Sequence, residues 1–177
     1  MAVSEKSVSS HTMMKPEDIA GVKELLATPK KIVIIPHRNP DGDAMGSNLG
    51  LYHFLRHKGH EVTVISPNEF PDFLAWLPAS NTVQVFEKDT EAATTILKEA
   101  EVVFTLDFNA LSRTGDAMEA ALKELTATFI MIDHHQKPDG YAKYMFSDTS
   151  YGSTCEMVYH FIEALNEKQF LDVTVAT

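Results

Sequence analysis

The sequence predicts an α/β fold: a doubly wound, mainly parallel sheet of about five strands flanked by helices. Three observations predict it. Short, near-continuous apolar runs at 31–35, 102–106 and 128–132 alternate with stretches of helical periodicity, as parallel strands covered on both faces do. Residues 31–65 read as one complete strand–helix–strand unit. Finally, all three runs empty into Asp or His, at the end where an open parallel sheet has its ligand crevice.

Taken in order, residues 1–14 are polar and Ser-rich and read as a flexible N-terminus, with one domain over 15–177. Pro16 opens a helix with Glu17 and Asp18 in its first turn, where the helix dipole favours them; Ile19, Val22, Leu25 and Leu26 repeat at helical spacing, and Pro29 ends it. The first strand covers Lys31 to Ile35. A helix over Ala44 to His57 follows, with Met45, Leu49, Leu51, Tyr52 and Leu55 as its buried positions and Gly59 as its stop. Gly46 and Gly50, one turn apart, let that helix approach the sheet closely. The second strand is Glu61 to Ile65.

Residues 66–81, with three prolines and the aromatics Phe70, Phe73 and Trp76, form a loop with a helical turn over the sheet end. The aromatics read as core or interface. A short strand at Thr82 to Phe86 and a helix over Thr90 to Ala100, with Ala93, Ile96 and Leu97 inward, come next. Strand Val102 to Leu106, helix Asp116 to Leu125, strand Thr128 to Ile132 and a short strand at Tyr144 to Phe146 follow. Ser153 caps the last helix and Glu156 completes a capping box, with Val158, Phe161, Ile162 and Leu165 inward. The segment Leu171 to Thr177 reads as the start of another element, which marks the chain as a piece of a longer protein.

A length of 177 residues allows one full-sized domain. No apolar run approaches the ~18 residues of a membrane span, and the N-terminus lacks the apolar centre of a signal peptide. Cys155 is the only cysteine, so no intrachain disulfide forms; a lone thiol fits a reducing cytoplasm. A formal charge of −10 and a pI near 5.2 argue against binding long duplex nucleic acid through a basic face, but not against short anionic substrates, whose charge bound cations can offset.

The chemistry concentrates at the strand ends. His37, Asp41 and Asp43 follow the first strand within seven positions, and imidazole with carboxylates suits a divalent metal. The competing reading is a polar turn at 39–42 with Asp43 capping the next helix; the two are compatible, because a tight turn brings His37 and Asp41 together. Asp43 points toward a second, adjacent metal position. Asp107 closes the third apolar strand and is either a helix cap or a carboxylate bridging two metals, since pairs ~3.5–4 Å apart use such a bridge. Adjacent histidines after a buried strand are costly unless they bind something. His134 is therefore read as a metal ligand, His135 as a contact to a substrate phosphate or an acid for the leaving oxygen, and Asp133 as the carboxylate that orients a histidine. Arg113 is a candidate phosphate clamp. His53, His57, His60 and His160 read as structural or solvated, and Cys155 as inert.

The set His37-x-Asn39-Pro40-Asp41-Gly42-Asp43-Ala44-x-Gly46-Ser47, then Asp107, then Asp133-His134-His135, then Ser153-Thr154-x-Glu156 resembles the DHH phosphoesterase superfamily. Within it the chain is most similar to bacterial oligoribonucleases that also dephosphorylate 3′-phosphoadenosine 5′-phosphate, a branch that includes exopolyphosphatase-related proteins. The resemblance runs from about residue 16 to the end. It implies a doubly wound catalytic domain with two Mn²⁺ ions (Mg²⁺ or Co²⁺ as alternatives), one held by His37, Asp41 and Asp107 and the other by Asp43, Asp107 and His134, with His135 serving substrate and catalysis. It also implies a further ligand Asp and a C-terminal substrate-binding domain beyond residue 177. Pro138 departs from the Asn that many relatives carry three positions after the second histidine.

The substrate implied is short RNA or a nucleotide. Pyrophosphate, polyphosphate and cyclic dinucleotides are the alternatives within the superfamily. A regulatory domain that keeps only the fold is the non-enzyme alternative, and retention of all five ligand types weighs against it; a receiver-type signalling domain has no use for adjacent histidines. A homodimer is left open.

Overall fold

The computed structural model describes residues 14–175, so the N-terminal expectation falls, apart from Met14, outside the described residues. The order is α1 (Pro16–Leu25), β1 (Lys31–Ile35), α2 (Gly42–His57), β2 (Glu61–Ser66), β3 (Gln84–Val85), α3 (Thr90–Glu99), β4 (Val102–Leu106), α4 (Asp116–Lys123), β5 (Thr128–Asp133), β6 (Tyr144–Ser147) and α5 (Thr154–Ala164). Six strands form one sheet in the order β3-β2-β1-β4-β5-β6, and every pairing is parallel. The sheet thus has one strand more than expected, because both short segments, at β3 and β6, pair.

Alternation along the strands separates two cores. Ile32 and Ile34 of β1, Val102, Phe104 and Leu106 of β4, and Ile130 and Ile132 of β5 pack with Val22 of α1, Leu51 and Phe54 of α2, and Phe161 of α5. Val33, Ile35, Val103 and Phe129 face the other way, onto Ala93 and Leu97 of α3 and Met118 and Leu122 of α4. The strands are apolar throughout because both faces are covered. Each large side chain so buried contributes roughly 1.5–3 kcal/mol, and Phe104 and Phe161 add an edge-to-face contact at 6.0 Å. Phe54 belongs to this core although the sequence pattern passed over it, whereas Tyr52 is only half-buried.

Several local expectations are corrected. Helix α2 begins at Gly42, and its cap is Asp41, whose carboxylate accepts from the Ala44 N–H at 3.0 Å; Asp43 is not the cap. At α5, Ser153 Oγ accepts from the Glu156 N–H at 3.1 Å, but the Glu156 carboxylate reaches back to the Gly152 N–H rather than to Ser153, so the box closes one residue early. In the 66–81 loop, two 3-10 turns form at Asp72–Leu74 and Ser80–Thr82. Leu74 and Leu77 carry the burial there, while Phe73 and Trp76 are exposed. At the end of the chain, Asp172 Oδ1 accepts from the N–H groups of Thr174 and Val175 at 2.9 and 3.2 Å, forming a turn. Residues 176 and 177 lie outside the described residues. Among the described residues no helix is long and apolar enough to cross a membrane.

The chain order reverses between β1 and β4, which are neighbours in the sheet. A parallel sheet opens a crevice at its carboxyl edge at such a point. His37 follows β1 and Asp107 follows β4, the strands that border it, and the Asp133–His135 run ends β5, the next strand beyond β4.

Candidate metal centre

Asp107 is the centre of the arrangement. It closes β4 with φ of +67°, a conformation uncommon for a residue with a side chain, and its N–H donates to the Ile132 carbonyl of β5 at 3.1 Å. Its side chain is almost completely buried. The two carboxylate oxygens face different partners: His37 Nε2 lies 3.6 Å from Oδ2, and His134 Nε2 lies 3.4 Å from Oδ1.

The other ring nitrogens decide what those Nε2 atoms are. His37 Nδ1 sits 2.8 Å from the Arg38 carbonyl, and His134 Nδ1 sits 3.3 Å from the Tyr151 carbonyl. A carbonyl only accepts, so each Nδ1 carries a hydrogen, and in that neutral tautomer each Nε2 would present its lone pair to Asp107. Backbone carbonyls hold metal-ligating histidines in this tautomer. A lone pair facing a carboxylate repels it unless a positive charge lies between. At His37 the nearby carboxylate accordingly raises the imidazole pKa above its ordinary 6.5, chiefly through the contact with Asp107, against the opposing effect of burial. A cluster that draws a proton onto an imidazole in this way has the donor set to hold a cation instead.

Ligand atoms of His37, Asp41 and Asp107 come within 4.8 Å of one another, and so do those of Asp107, His134 and His135. The two groups share Asp107. Asp41 meets the first group with the side chain that also caps α2, so the turn and ligand readings coexist. Asp43 approaches the second group, its Oδ2 lying 3.7 Å from His134 Nε2. Both of its oxygens also accept hydrogen bonds from α5, from the N–H of Thr154 at 2.8 Å and of Cys155 at 2.9 Å. Asp43 therefore sits at the helix N-terminus that best tolerates its charge. His135 occupies the place in the second group that the sequence pattern gave to Asp43.

His135 has a different hydrogen-bond logic from its neighbour. Its Nδ1 lies 2.7 Å from Asp133 Oδ1 and 3.9 Å from Asp107 Oδ1. Asp133 is wholly buried, and among the described residues its Oδ2 has no hydrogen-bond partner, so the contact of its Oδ1 with the His135 ring compensates this carboxylate. The His135 side chain is 43% exposed, which leaves its Nε2 as the nitrogen able to meet a ligand in the crevice. Asp133 thus contacts a histidine as expected, and that histidine is His135.

Arg113 is exposed on the 3-10 turn Leu111–Thr114. Its contact with the β1 loop runs through its backbone, whose carbonyl accepts from the Arg38 N–H at 2.8 Å. Loss of solvation, then its hydrogen bond to Asp43, holds the Cys155 thiol above its ordinary pKa. Sequence reasoning gave no role to Thr154. Fully buried at the start of α5, it donates from Oγ1 to Asp107 Oδ1 at 2.9 Å. Its only sequence signal is its place beside Ser153 in the capping pattern.

Residues 31–177 match the profile of the DHH family, N-terminal domain. The chain is 30% identical over 131 residues to the bifunctional oligoribonuclease and PAP phosphatase NrnA of Mycoplasma genitalium, covering 72% of this chain and 38% of that protein. It is 31% identical over 142 residues to the NrnA of Thermus thermophilus, covering 80% and 39% respectively. The chain therefore spans well under half the length of these relatives. Among solved structures, an exopolyphosphatase-related protein from Bacteroides fragilis superposes with a TM-score of 0.89 at 38% identity, over 92% of this chain and 47% of that one. The Thermus thermophilus RecJ in complex with Mn²⁺ shares the fold, with a TM-score of 0.51 at 18% identity over 89% of this chain and 21% of that one.

Proposed function

The chain belongs to the DHH family, and from that premise we propose that it is the catalytic part of a metal-dependent phosphoesterase hydrolysing short oligoribonucleotides, 3′-phosphoadenosine 5′-phosphate, or both. The observation that carries this reading is the pair of histidine Nε2 atoms set against opposite oxygens of one buried carboxylate, Asp107. In the proposal, His37, Asp41 and Asp107 hold one divalent ion, while Asp107, His134 and Asp43 hold the second. Mixed imidazole and carboxylate donors suit Mn²⁺, with Mg²⁺ or Co²⁺ as alternatives. Such ions, when bound, supply Lewis acidity toward a phosphoryl group and make a nearby water more acidic.

The chain's own residues do the remaining work. Asp107 sets the spacing of the two positions, and Thr154 holds its Oδ1. Asp133 orients His135 through Nδ1, which leaves His135 Nε2 to bond a phosphate oxygen or deliver a proton to the leaving oxygen. Arg113 is the phosphate contact on the rim, on a turn bonded to the loop that carries His37. The acidic surface supports short substrates over long duplexes. The reading assumes a cytoplasmic setting for a chain with one thiol.

A second reading, hydrolysis of pyrophosphate or polyphosphate, is favoured by the description of the Bacteroides fragilis protein. A panel of dinucleotide, 3′-phosphoadenosine 5′-phosphate, cyclic dinucleotide and pyrophosphate, offered with Mn²⁺ to the intact protein and to its His134→Ala variant, separates the two. Turnover of the first two by wild type and its loss in the variant is the expected result. Turnover of pyrophosphate alone would install the second reading, and no metal-dependent turnover of any would end both.

A further inference from the structure

We propose that Asn68, in the loop after β2, is a positioning residue that holds the His37–Asp41 loop in its ligand-ready conformation; the proposal rests on the metal-centre reading above. Asn39 lies midway between His37 and Asp41, so its backbone angles set how those two side chains are presented to each other. Its φ is +54°, in the left-handed region that few residues with a side chain adopt. Pro40 follows, and a proline steers the residue before it toward extended backbone. Asparagine tolerates this region better than most residues, but the following proline opposes it, so a contact from outside the loop adds to what the local sequence supplies.

Asn68 makes a reciprocal pair of hydrogen bonds there. Its Oδ1 accepts from the Asn39 N–H at 2.7 Å, and its Nδ2 donates to Asn39 Oδ1 at 2.8 Å. Two bonds fix both the backbone and the side chain of Asn39, which one would not. Asn68 is itself anchored, because its carbonyl accepts from Ser66 Oγ at 2.6 Å, and Ser66 is wholly buried at the end of β2. A second contact holds the loop from its other flank, the Arg38 N–H donating to the Arg113 carbonyl at 2.8 Å. The loop is thus clamped between the segment after β2 and the turn after β4, with Asn68 supplying the side-chain half of the clamp. Among the described residues Asn68 hydrogen-bonds none of the candidate ligands, so its influence passes through Asn39.

The test compares wild type with Asn68→Ala and Asn68→Asp in the intact protein. It uses amide hydrogen exchange over residues 37–41 without metal, Mn²⁺ titration by calorimetry, and kcat and KM on a dinucleotide. Asn68→Ala should speed exchange at Asn39 at least tenfold, weaken Mn²⁺ binding about 10- to 100-fold, and lower kcat at limiting Mn²⁺ while KM stays within twofold. Raising the Mn²⁺ concentration should restore kcat. Asn68→Asp keeps the acceptor for the Asn39 N–H and should recover part of the exchange protection. Unchanged exchange, or faster exchange with Mn²⁺ affinity and kcat within twofold of wild type, overturns the proposal. Wild type that binds no Mn²⁺ overturns the metal-centre reading and this proposal with it, an outcome distinct from a wild type and variant that bind equally.

Discussion

Replacing Thr154 with valine removes one hydroxyl and almost nothing else. The side chains have nearly the same shape, and the Thr154 N–H that bonds Asp43 survives the change. What is lost is the 2.9 Å hydrogen bond to Asp107 Oδ1. Both partners are almost completely buried, so water cannot replace the donor. A hydrogen bond to a charged group contributes about 1.5–3 kcal/mol, and a buried acceptor left unpaired puts the loss toward the top of that range. For a chain of this size that is a fall in Tm of roughly 3–12 °C. Thr154→Ser keeps the hydroxyl and gives up one buried methyl, which costs about 0.5–1.5 kcal/mol. Denaturant unfolding of the metal-free protein at neutral pH measures both variants against wild type. A valine variant no less stable than the serine variant would refute the claim that this hydroxyl positions Asp107. Under the metal-centre reading, Thr154→Val should also weaken Mn²⁺ binding about 10- to 100-fold.

Other outcomes follow from the same geometry. Asp107→Ala should lower activity more than Asp41→Ala, since Asp107 belongs to both ligand groups; equal losses measured as kcat/KM would count against a bridge. Asp41→Ala should also cost about 0.5–2 kcal/mol of stability through the lost cap of α2, whereas Asp41→Asn, a good cap, should spare stability and still lose metal. Burial, helped by the Lys58 charge, holds the His60 pKa below its ordinary 6.5, so the unfolded chain takes up the proton first as pH falls. The stability this contributes is complete above about pH 6.5 and is lost below it; chemical denaturation from pH 7.5 to 5 should show a smaller drop for His60→Gln than for wild type. A Cβ at Gly46 would stand 3.0 Å from Cys155 Sγ, so Gly46→Ala should destabilise despite its better helix propensity, and Gly46→Ala with Cys155→Ala should recover most of the loss.

What the sequence made legible was what local pattern encodes. The bounds of β1 and β4 follow from apolar runs, and the switch-point crevice follows from three such runs ending in Asp or His. His37, Asp41, Asp107 and His134 are brought together as expected because strand ends in a parallel sheet converge. Contacts between distant segments were not legible. Asp43 reads locally as a cap for the helix it sits in, yet its carboxylate serves the N-terminus of α5, more than a hundred residues away. Thr154 reads as a first-turn residue of α5 and acts on Asp107 at the end of β4. Phe73 and Trp76 read as core or interface because large aromatics usually bury, and Leu74 and Leu77 take the core place while the two aromatics stay exposed. Nothing local in the 66–81 loop marks Asn68 as the partner of Asn39.

Mn²⁺ titration of the intact protein followed by electron paramagnetic resonance decides whether Asp107 links two cation positions. The arrangement predicts two ions per chain with magnetic coupling between them, and loss of that coupling in Asp107→Ala. A single ion per chain, or two uncoupled ions in the wild type, would contradict it.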